Sequence, residues 1–321
     1  MLQVSVLVDY TDSVRSIADW SALAGIARVE FFRDHLDAID AIAARLAPFD
    51  IVVAERERTR FPRALLERLP RLKLLVATGP VNWSIDLAAA AERGMTVCCT
   101  EALYDATPEL AWGLILTLTR RIAWDHQAVR AGQWQTGLGT SLTGKTLGVI
   151  GLGNVGAKIA AFGRVFGMSP IAWSRNLTPE KAAGNAGNSV EFAALDDLLR
   201  RADIVTIHVV LSPESRGLIG RRELGLMKRS AFLINTSRGP IVDAAALLDA
   251  LETRRIAGAA LDVFDVEPLP VDHRLRRLDN VVLTPHVGYI TVEQYRLFYG
   301  QAIENILAFT RGTPIRLLRM P

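Results

Sequence analysis

The sequence predicts an α/β protein made of two doubly wound parallel-sheet domains, and three observations carry that prediction. Short apolar runs alternate with stretches of helical apolar spacing along the chain, the pattern of strands joined by crossover helices. Many of these runs are apolar throughout and rich in valine and isoleucine, as strands buried on both faces are. At 321 residues, half of them hydrophobic, the chain is long enough for two cores of ordinary size.

In the first hundred residues the candidate strands are 4–8, 28–32, 51–54, 72–77 and 95–99. Helical spacing fits 12–24, 36–46, 62–68 and 85–93. The alternation predicts an open, flavodoxin-like sheet. Thr107 before Pro108 then reads as a capping hydroxyl ahead of a proline in the first turn, opening a largely buried helix over 110–131.

Residues 144–176 follow, and the chain is organised around them. A β-branched run at 146–150 leads into Gly151-Leu-Gly153-Asn154-Val155-Gly156. A helical stretch over 157–166 and a second apolar run at 170–173 complete a strand, Gly-x-Gly-x-x-Gly turn, helix, strand unit. In such a unit the first glycine permits the turn, the second lets backbone approach a pyrophosphate, and the third lets helix pack on strand. The diphosphate then lies over N–H groups at the helix start, those of Asn154 and Val155 included. Further runs at 204–210, 231–235, 258–263 and 281–283, with helices at 192–200 and 244–254, bring the strands to six. Six is the number a complete Rossmann nucleotide-binding domain requires. A last amphipathic helix over 291–310 is expected to cross back to the first domain. The expected division is 1–100 plus 290–321 for a substrate domain and 101–289 for the NAD(P)-binding domain. Residues 184–188 form the one low-complexity patch and read as an exposed loop.

Composition narrows the function classes. The net charge is +3 and the pI about 9.0, with basic residues dispersed and no basic block carrying interleaved aromatics, so no nucleic-acid partner is expected. Cys98 and Cys99 are adjacent and point to opposite faces of a strand, which rules out a disulfide framework. The first residues already read as a strand, leaving no signal peptide, and no apolar run reaches the roughly 18 residues that span a bilayer. A cytoplasmic protein with no membrane partner and no metal is expected.

Three stretches lie at strand ends, where open α/β sheets bind ligands. They are Asn235-Thr236-Ser237-Arg238-Gly239, Asp262-Val-Phe-Asp-Val-Glu267-Pro268 and Thr284-Pro285-His286-Val-Gly288. Hydride transfer to a 2-keto acid needs a cation for the carboxylate and carbonyl, and a proton donor at the developing alkoxide. Arg238 suits the first role, because guanidinium meets carboxylate in a planar fork. His286 suits the second, and Glu267 would keep it charged by pairing with the imidazolium. The other histidines read differently: His35, His126 and His273 as surface residues, His208 as a structural group beside the cofactor cleft.

Taken together, these pieces resemble the D-isomer-specific 2-hydroxyacid dehydrogenase family over essentially the whole chain. The matching segments are the glycine turn at 151–156, His208-Val-Val-Leu-Ser-Pro-Glu-Ser-Arg-Gly-Leu-Ile219, Asn235–Gly239, Asp262-Val-Phe-x-x-Glu-Pro-Leu-Pro270 and Thr284–Gly288. The resemblance implies a D-2-hydroxyacid dehydrogenase, or 2-keto acid reductase, with Arg238 as substrate anchor, His286 as acid/base and Glu267 as its partner. It further implies that Asp262 and the Thr236 carbonyl hold the nicotinamide carboxamide beside Gly288, that Thr78 and Gly79 join Arg238 at the substrate, and that the protein is a homodimer built through its nucleotide domain.

Three departures stand out. The family's Gly-x-Gly turn in the first domain reads Gly79-Pro80-Val81 here, and proline has no N–H to offer a carboxylate. Val210 replaces a common proline. The acidic residue expected at the adenosine ribose is absent, and Ser174-Arg175 stands in its place. A carboxylate there would repel a 2′-phosphate, whereas Arg175 would pair with one; NADP(H) is therefore favoured over NAD(H). Two other functions compete. A nucleotide-sensing scaffold of the corepressor type would carry long disordered tails, and a formate-type dehydrogenase has no alkoxide to protonate, which leaves Glu267 without a purpose. Arg56, Arg58, Trp83, Tyr104 and Tyr289 are further candidates for lining a substrate site.

Overall fold

A computed structural model of the chain describes residues 1–184 and 190–319. The chain forms two compact units, Met1–Leu103 with Ile290–Pro321, and Tyr104–Tyr289. Of the patch expected to be an exposed loop, residues 185–188 lie outside the described residues. Among the described residues no helix is long and apolar enough to cross a membrane.

In the first unit the strands are β1 (Leu2–Val6), β2 (Ala27–Phe31), β3 (Ile51–Ala54), β4 (Leu74–Ala77) and β5 (Thr96–Cys99). They pair in parallel in the order β2-β1-β3-β4-β5, the flavodoxin-like arrangement. β3 and β4 are apolar at every position because both faces are covered, and all eight of their residues are buried. The helix Val292–Thr310 packs within this unit, capped by Thr291 Oγ1, which accepts from the Gln294 N–H. Its Tyr295 and Tyr299 hydroxyls donate to the buried Glu55 carboxylate at 2.9 and 3.4 Å. The continuous helix expected over 12–24 is broken. A single turn, Val14–Ile17, is followed by a 3₁₀ turn, Trp20–Leu23, because Ala18 is extended and the Asp19 carboxylate recaps the chain at the Ser21 N–H.

Among the described residues the second unit holds seven strands rather than six: β6 (Thr146–Ile150), β7 (Ser169–Trp173), β8 (Glu191–Phe192), β9 (Ile204–Ile207), β10 (Phe232–Asn235), β11 (Gly258–Leu261) and β12 (Val281–Leu283). All pairs are parallel, in the order β12-β11-β10-β9-β6-β7-β8. This is the Rossmann arrangement with one strand added at the β12 edge. The two-residue β8 takes residues assigned above to a helix, and that helix begins only at Leu195. The Ala193 N–H donates to the Ala172 carbonyl, so the chain is still bound to the sheet edge where helical spacing alone predicted a turn.

The long helix expected over 110–131 is two helices, Ala106–Thr119 and Ile122–Arg130. They break at Arg121, whose φ of 57° is left-handed and whose guanidinium lies over the Trp124 ring. The first helix starts at Ala106, not after a Thr107 cap; the Thr107 hydroxyl instead donates to the Gly288 carbonyl at 3.0 Å.

Strand register positions the site. Trp173, Ile150, Ile207, Asn235, Leu261 and Leu283 form one row across the second sheet. The residues leaving that row are Ser174, Gly151, His208, Thr236, Asp262 and Thr284.

Candidate active site

The glycine turn has the geometry its spacing requires. Gly151 has φ 101°, and a Cβ there would stand 2.6 Å from the His208 carbonyl. At Gly156 a Cβ would meet the Gly151 carbonyl oxygen at 1.9 Å, so only glycine lets helix Asn154–Val165 sit this close to β6. Gly153 has open space where a Cβ would be and caps that helix without a side-chain bond, leaving its first N–H groups for a ligand. At the far end of the site, Thr236 Oγ1 is buried and has no hydrogen-bond partner among the described residues. An open backbone turn and an orphaned buried hydroxyl both fit a dinucleotide.

Beyond β7, Ser174 Oγ accepts from the Leu152 N–H at 2.9 Å and ties the strand end to the glycine turn. Gly151, Leu152, Gly153, Ser174, Arg175, Asn176, Leu177 and Val210 line one recess. Arg175 is exposed, with Nη1 3.7 Å from a Glu214 carboxylate oxygen.

Three adjacent strands deliver the candidate catalytic side chains. After β12, His286 adopts a left-handed φ of 55°, and its Nδ1 lies 2.6 Å from Glu267 Oε2. With a carboxylate as acceptor, Nδ1 carries the proton. The other Glu267 oxygen accepts from the Phe264 N–H at 2.8 Å, which fixes the carboxylate to its own loop. Tyr289 packs edge-on against the His286 ring. After β10, the Asn235 side chain bridges the turn, accepting from the Ser237 N–H and donating to the Arg238 carbonyl. Arg238 Nη1 donates to the Ser237 carbonyl at 2.7 Å. Gly239 follows because a Cβ there would overlap the Phe264 backbone, 2.2 Å from its carbonyl carbon. The Arg238 turn and the Glu267 loop are thereby held in backbone contact.

Asp262 is fully buried and binds the histidine's loop. Its carboxylate accepts from the Thr284 hydroxyl and from the Val287 and Gly288 N–H groups at 2.6–2.9 Å. Burial pushes its pKa up, and these donors oppose the shift. The residue expected at the carboxamide is thus also the anchor of residues 284–288. His208 Nε2 lies 2.8 Å from the Thr206 hydroxyl. His208 keeps partial surface exposure, but desolvation of the ring lowers it to about 3 and leaves the imidazole neutral.

In the first unit the Gly79 N–H donates to Thr100 Oγ1 at 2.7 Å. Thr78 is buried, its Oγ1 accepting from the Arg56 N–H. The Arg56 side chain lies where a Cβ of Gly79 would point, 1.8 Å from Nη1. Arg58 pairs with Glu55 at 3.3 Å and lies over Tyr10, while Trp83 and Tyr104 are exposed. Thr100, Asn235, Thr284 and Glu214 carry structural parts of these sites that the sequence reading did not assign. Asn235, Thr284 and Glu214 stand inside segments already marked above, and only the fold reveals the partner of each.

Known proteins align with this architecture. Residues 112–288 match the family described as D-isomer specific 2-hydroxyacid dehydrogenase, NAD binding domain. The chain is 42% identical to a glyoxylate reductase of Aeropyrum pernix over 260 residues, 77% of this chain and 76% of the relative. It is 36% identical to a D-3-phosphoglycerate dehydrogenase of Bacillus subtilis, covering 84% of this chain and 51% of that one. A crystal structure of a phosphoglycerate oxidoreductase from Vibrio cholerae superposes with a TM-score of 0.91 at 34% identity, covering 97% of this chain and 100% of that chain.

Proposed function

The chain belongs to the D-isomer-specific 2-hydroxyacid dehydrogenase family, and from that premise we propose how this nicotinamide-dependent 2-keto acid reductase works. The nicotinamide supplies the hydride. His286 delivers the proton to the alkoxide oxygen through Nε2, while Nδ1 donates to Glu267 and holds the imidazolium in place. Arg238 binds the substrate carboxylate and polarises the carbonyl. Asp262 fixes the His286 loop and, with the Thr236 carbonyl, receives the carboxamide beside Gly288. The observation that carries this reading is the 2.6 Å contact between His286 and Glu267 at the end of β12, two strands from Arg238. Because the Gly79 amide is engaged with Thr100, anchoring of the carboxylate falls to Arg238. Relatives named glyoxylate reductase favour a small 2-keto acid of the glyoxylate kind as substrate.

The cofactor we assign is NADP(H) over NAD(H), since Ser174-Arg175 replaces the ribose-binding acid. The working form is a homodimer. Ile122, Val129, Trp134 and Leu138, near one another in sequence in the nucleotide unit, are exposed apolar residues that a partner would cover. The unbridged Cys98 and Cys99 suit a cytoplasmic enzyme.

One steady-state panel tests the chemistry and the cofactor together. Glyoxylate, hydroxypyruvate, pyruvate and phenylpyruvate are reduced with NADPH and with NADH by native protein, His286→Ala and Arg175→Ala. His286→Ala is expected to lower kcat roughly 10²–10⁴-fold; near-normal turnover would refute the acid/base role. The native kcat/KM is expected to favour NADPH, and Arg175→Ala to lose that preference. A native enzyme favouring NADH tenfold would overturn the cofactor assignment.

A further inference from the structure

We propose that Glu214 is a cofactor-specificity residue, the counter-anion that holds Arg175 across the adenosine end of the recess and opposes a 2′-phosphate there. The inference rests on the reading of Ser174-Arg175 as the adenosine-ribose site, and concerns a residue that reading leaves without a role.

The two residues come from different segments, and of the two Arg175 lines the recess. Arg175 leaves β7, next to the glycine turn, and Glu214 belongs to the turn that follows Val210 beyond β9. Their charged groups are 3.7 Å apart, and both side chains are exposed. Glu214 is tethered rather than loose. The Ser212 hydroxyl donates to Glu214 Oε2 at 2.7 Å, the same oxygen that faces Arg175. Ser212 is itself fixed: its N–H donates to Ser215 Oγ at 2.8 Å, and Ser215 Oγ donates to the Val210 carbonyl at 2.7 Å. Val210 lines the recess, so a short chain of serine hydrogen bonds runs from the recess wall to the carboxylate.

That tether gives the carboxylate a fixed position relative to any ligand of Arg175. A 2′-phosphate reaching the guanidinium must either displace Glu214 or sit beside it. In the first case the existing ion pair is lost, and in the second a carboxylate and a phosphate lie within one Debye length of each other. Both cases penalise NADP(H), and neither applies to the uncharged 2′-hydroxyl of NAD(H). Cofactor choice then depends on Arg175 against Glu214, and Ser174 only removes the usual acid from the position. The Ser212 bond and the neighbouring Arg175 both lower the Glu214 pKa, the hydroxyl bond more strongly, so the carboxylate is charged at neutral pH. Because the pair is exposed, the effect is modest.

The experiment is isothermal titration of native protein and Glu214→Gln with NADPH and NADH, and with adenosine 2′,5′-bisphosphate and adenosine 5′-monophosphate as nicotinamide-free probes. Removing the carboxylate is expected to raise the ratio Kd(NADH)/Kd(NADPH) roughly three- to tenfold, with a parallel rise for the mononucleotide pair. Ser212→Ala, which cuts the tether, is expected to move both ratios in the same direction by less. Ratios unchanged within twofold in Glu214→Gln would overturn the inference, as would a fall. Failure of the cofactor reading looks different. If native protein binds NADH more tightly, yet Glu214→Gln still raises both ratios, the role of Glu214 stands and the NADP(H) assignment falls. If native protein prefers NADPH and the ratios do not move, the assignment stands and the role of Glu214 falls.

Discussion

His208 and His286 both follow strands of one sheet, and their surroundings suit them to opposite uses. His286 has a carboxylate at Nδ1, an acceptor that orients the ring. His208 faces the Thr206 hydroxyl, and desolvation lowers its pKa to about 3, which suits a ring that stays neutral. This has a consequence for stability. Between about pH 6.5 and 3 the unfolded chain binds a proton at His208 that the folded chain does not, so stability falls as pH falls through that window. His208→Asn keeps a polar partner for Thr206 and removes the proton linkage. Its melting temperature is expected to drop less than the native one between pH 7 and pH 4.5, by several degrees. Superimposable profiles for the two proteins would refute the desolvated neutral imidazole.

At the scale of the element, the glycine turn and its helix illustrate how close approach decides a substitution. In Gly156→Ala the added methyl would stand 1.9 Å from the Gly151 carbonyl oxygen and 3.0 Å from Val149 Cγ1. Helix Asn154–Val165 must then lift from β6 and carry its N–H groups away from the diphosphate position. Gly300 offers the contrast, since it lies inside helix Val292–Thr310 with nothing within 4 Å of an added Cβ. There alanine only restricts the unfolded chain, a gain of about 0.4–1 kcal/mol. Thermal denaturation and NADPH titration of both variants check the pair. Gly156→Ala is expected to lose stability and cofactor affinity together, and Gly300→Ala to gain stability at native affinity. A Gly156→Ala protein that bound NADPH normally would refute the packing argument.

For the molecule as a whole, the open question is the assembly. The helix Ile122–Arg130 and the segment after it expose Ile122, Val129, Trp134 and Leu138, the last two at 76% and 96%. In the proposed two-fold dimer a second copy would cover these side chains. Sedimentation is expected to give twice the 35.1 kDa of the chain, and Leu138→Asp with Trp134→Ser to give the single-chain mass. A native protein sedimenting as one chain would rule out the dimer.

The periodic features were legible in the sequence alone. Both sheets, the glycine turn and the order of the three strand-end segments follow from apolar runs, helical spacing and backbone requirements that each residue carries locally. The pairing of His286 with Glu267 was legible too, because consecutive strand ends of a parallel sheet lie side by side. What needed the tertiary structure were contacts between residues distant in the sequence that no periodicity marks. Thr100 takes the Gly79 amide, Thr107 bonds to Gly288 instead of capping its helix, and Glu214 reaches Arg175 from another strand's end. The break at Arg121 and the short β8 belong with these. A buried polar group or a helix end is satisfied by whichever partner the fold brings near, and a one-dimensional pattern records the need without naming the partner.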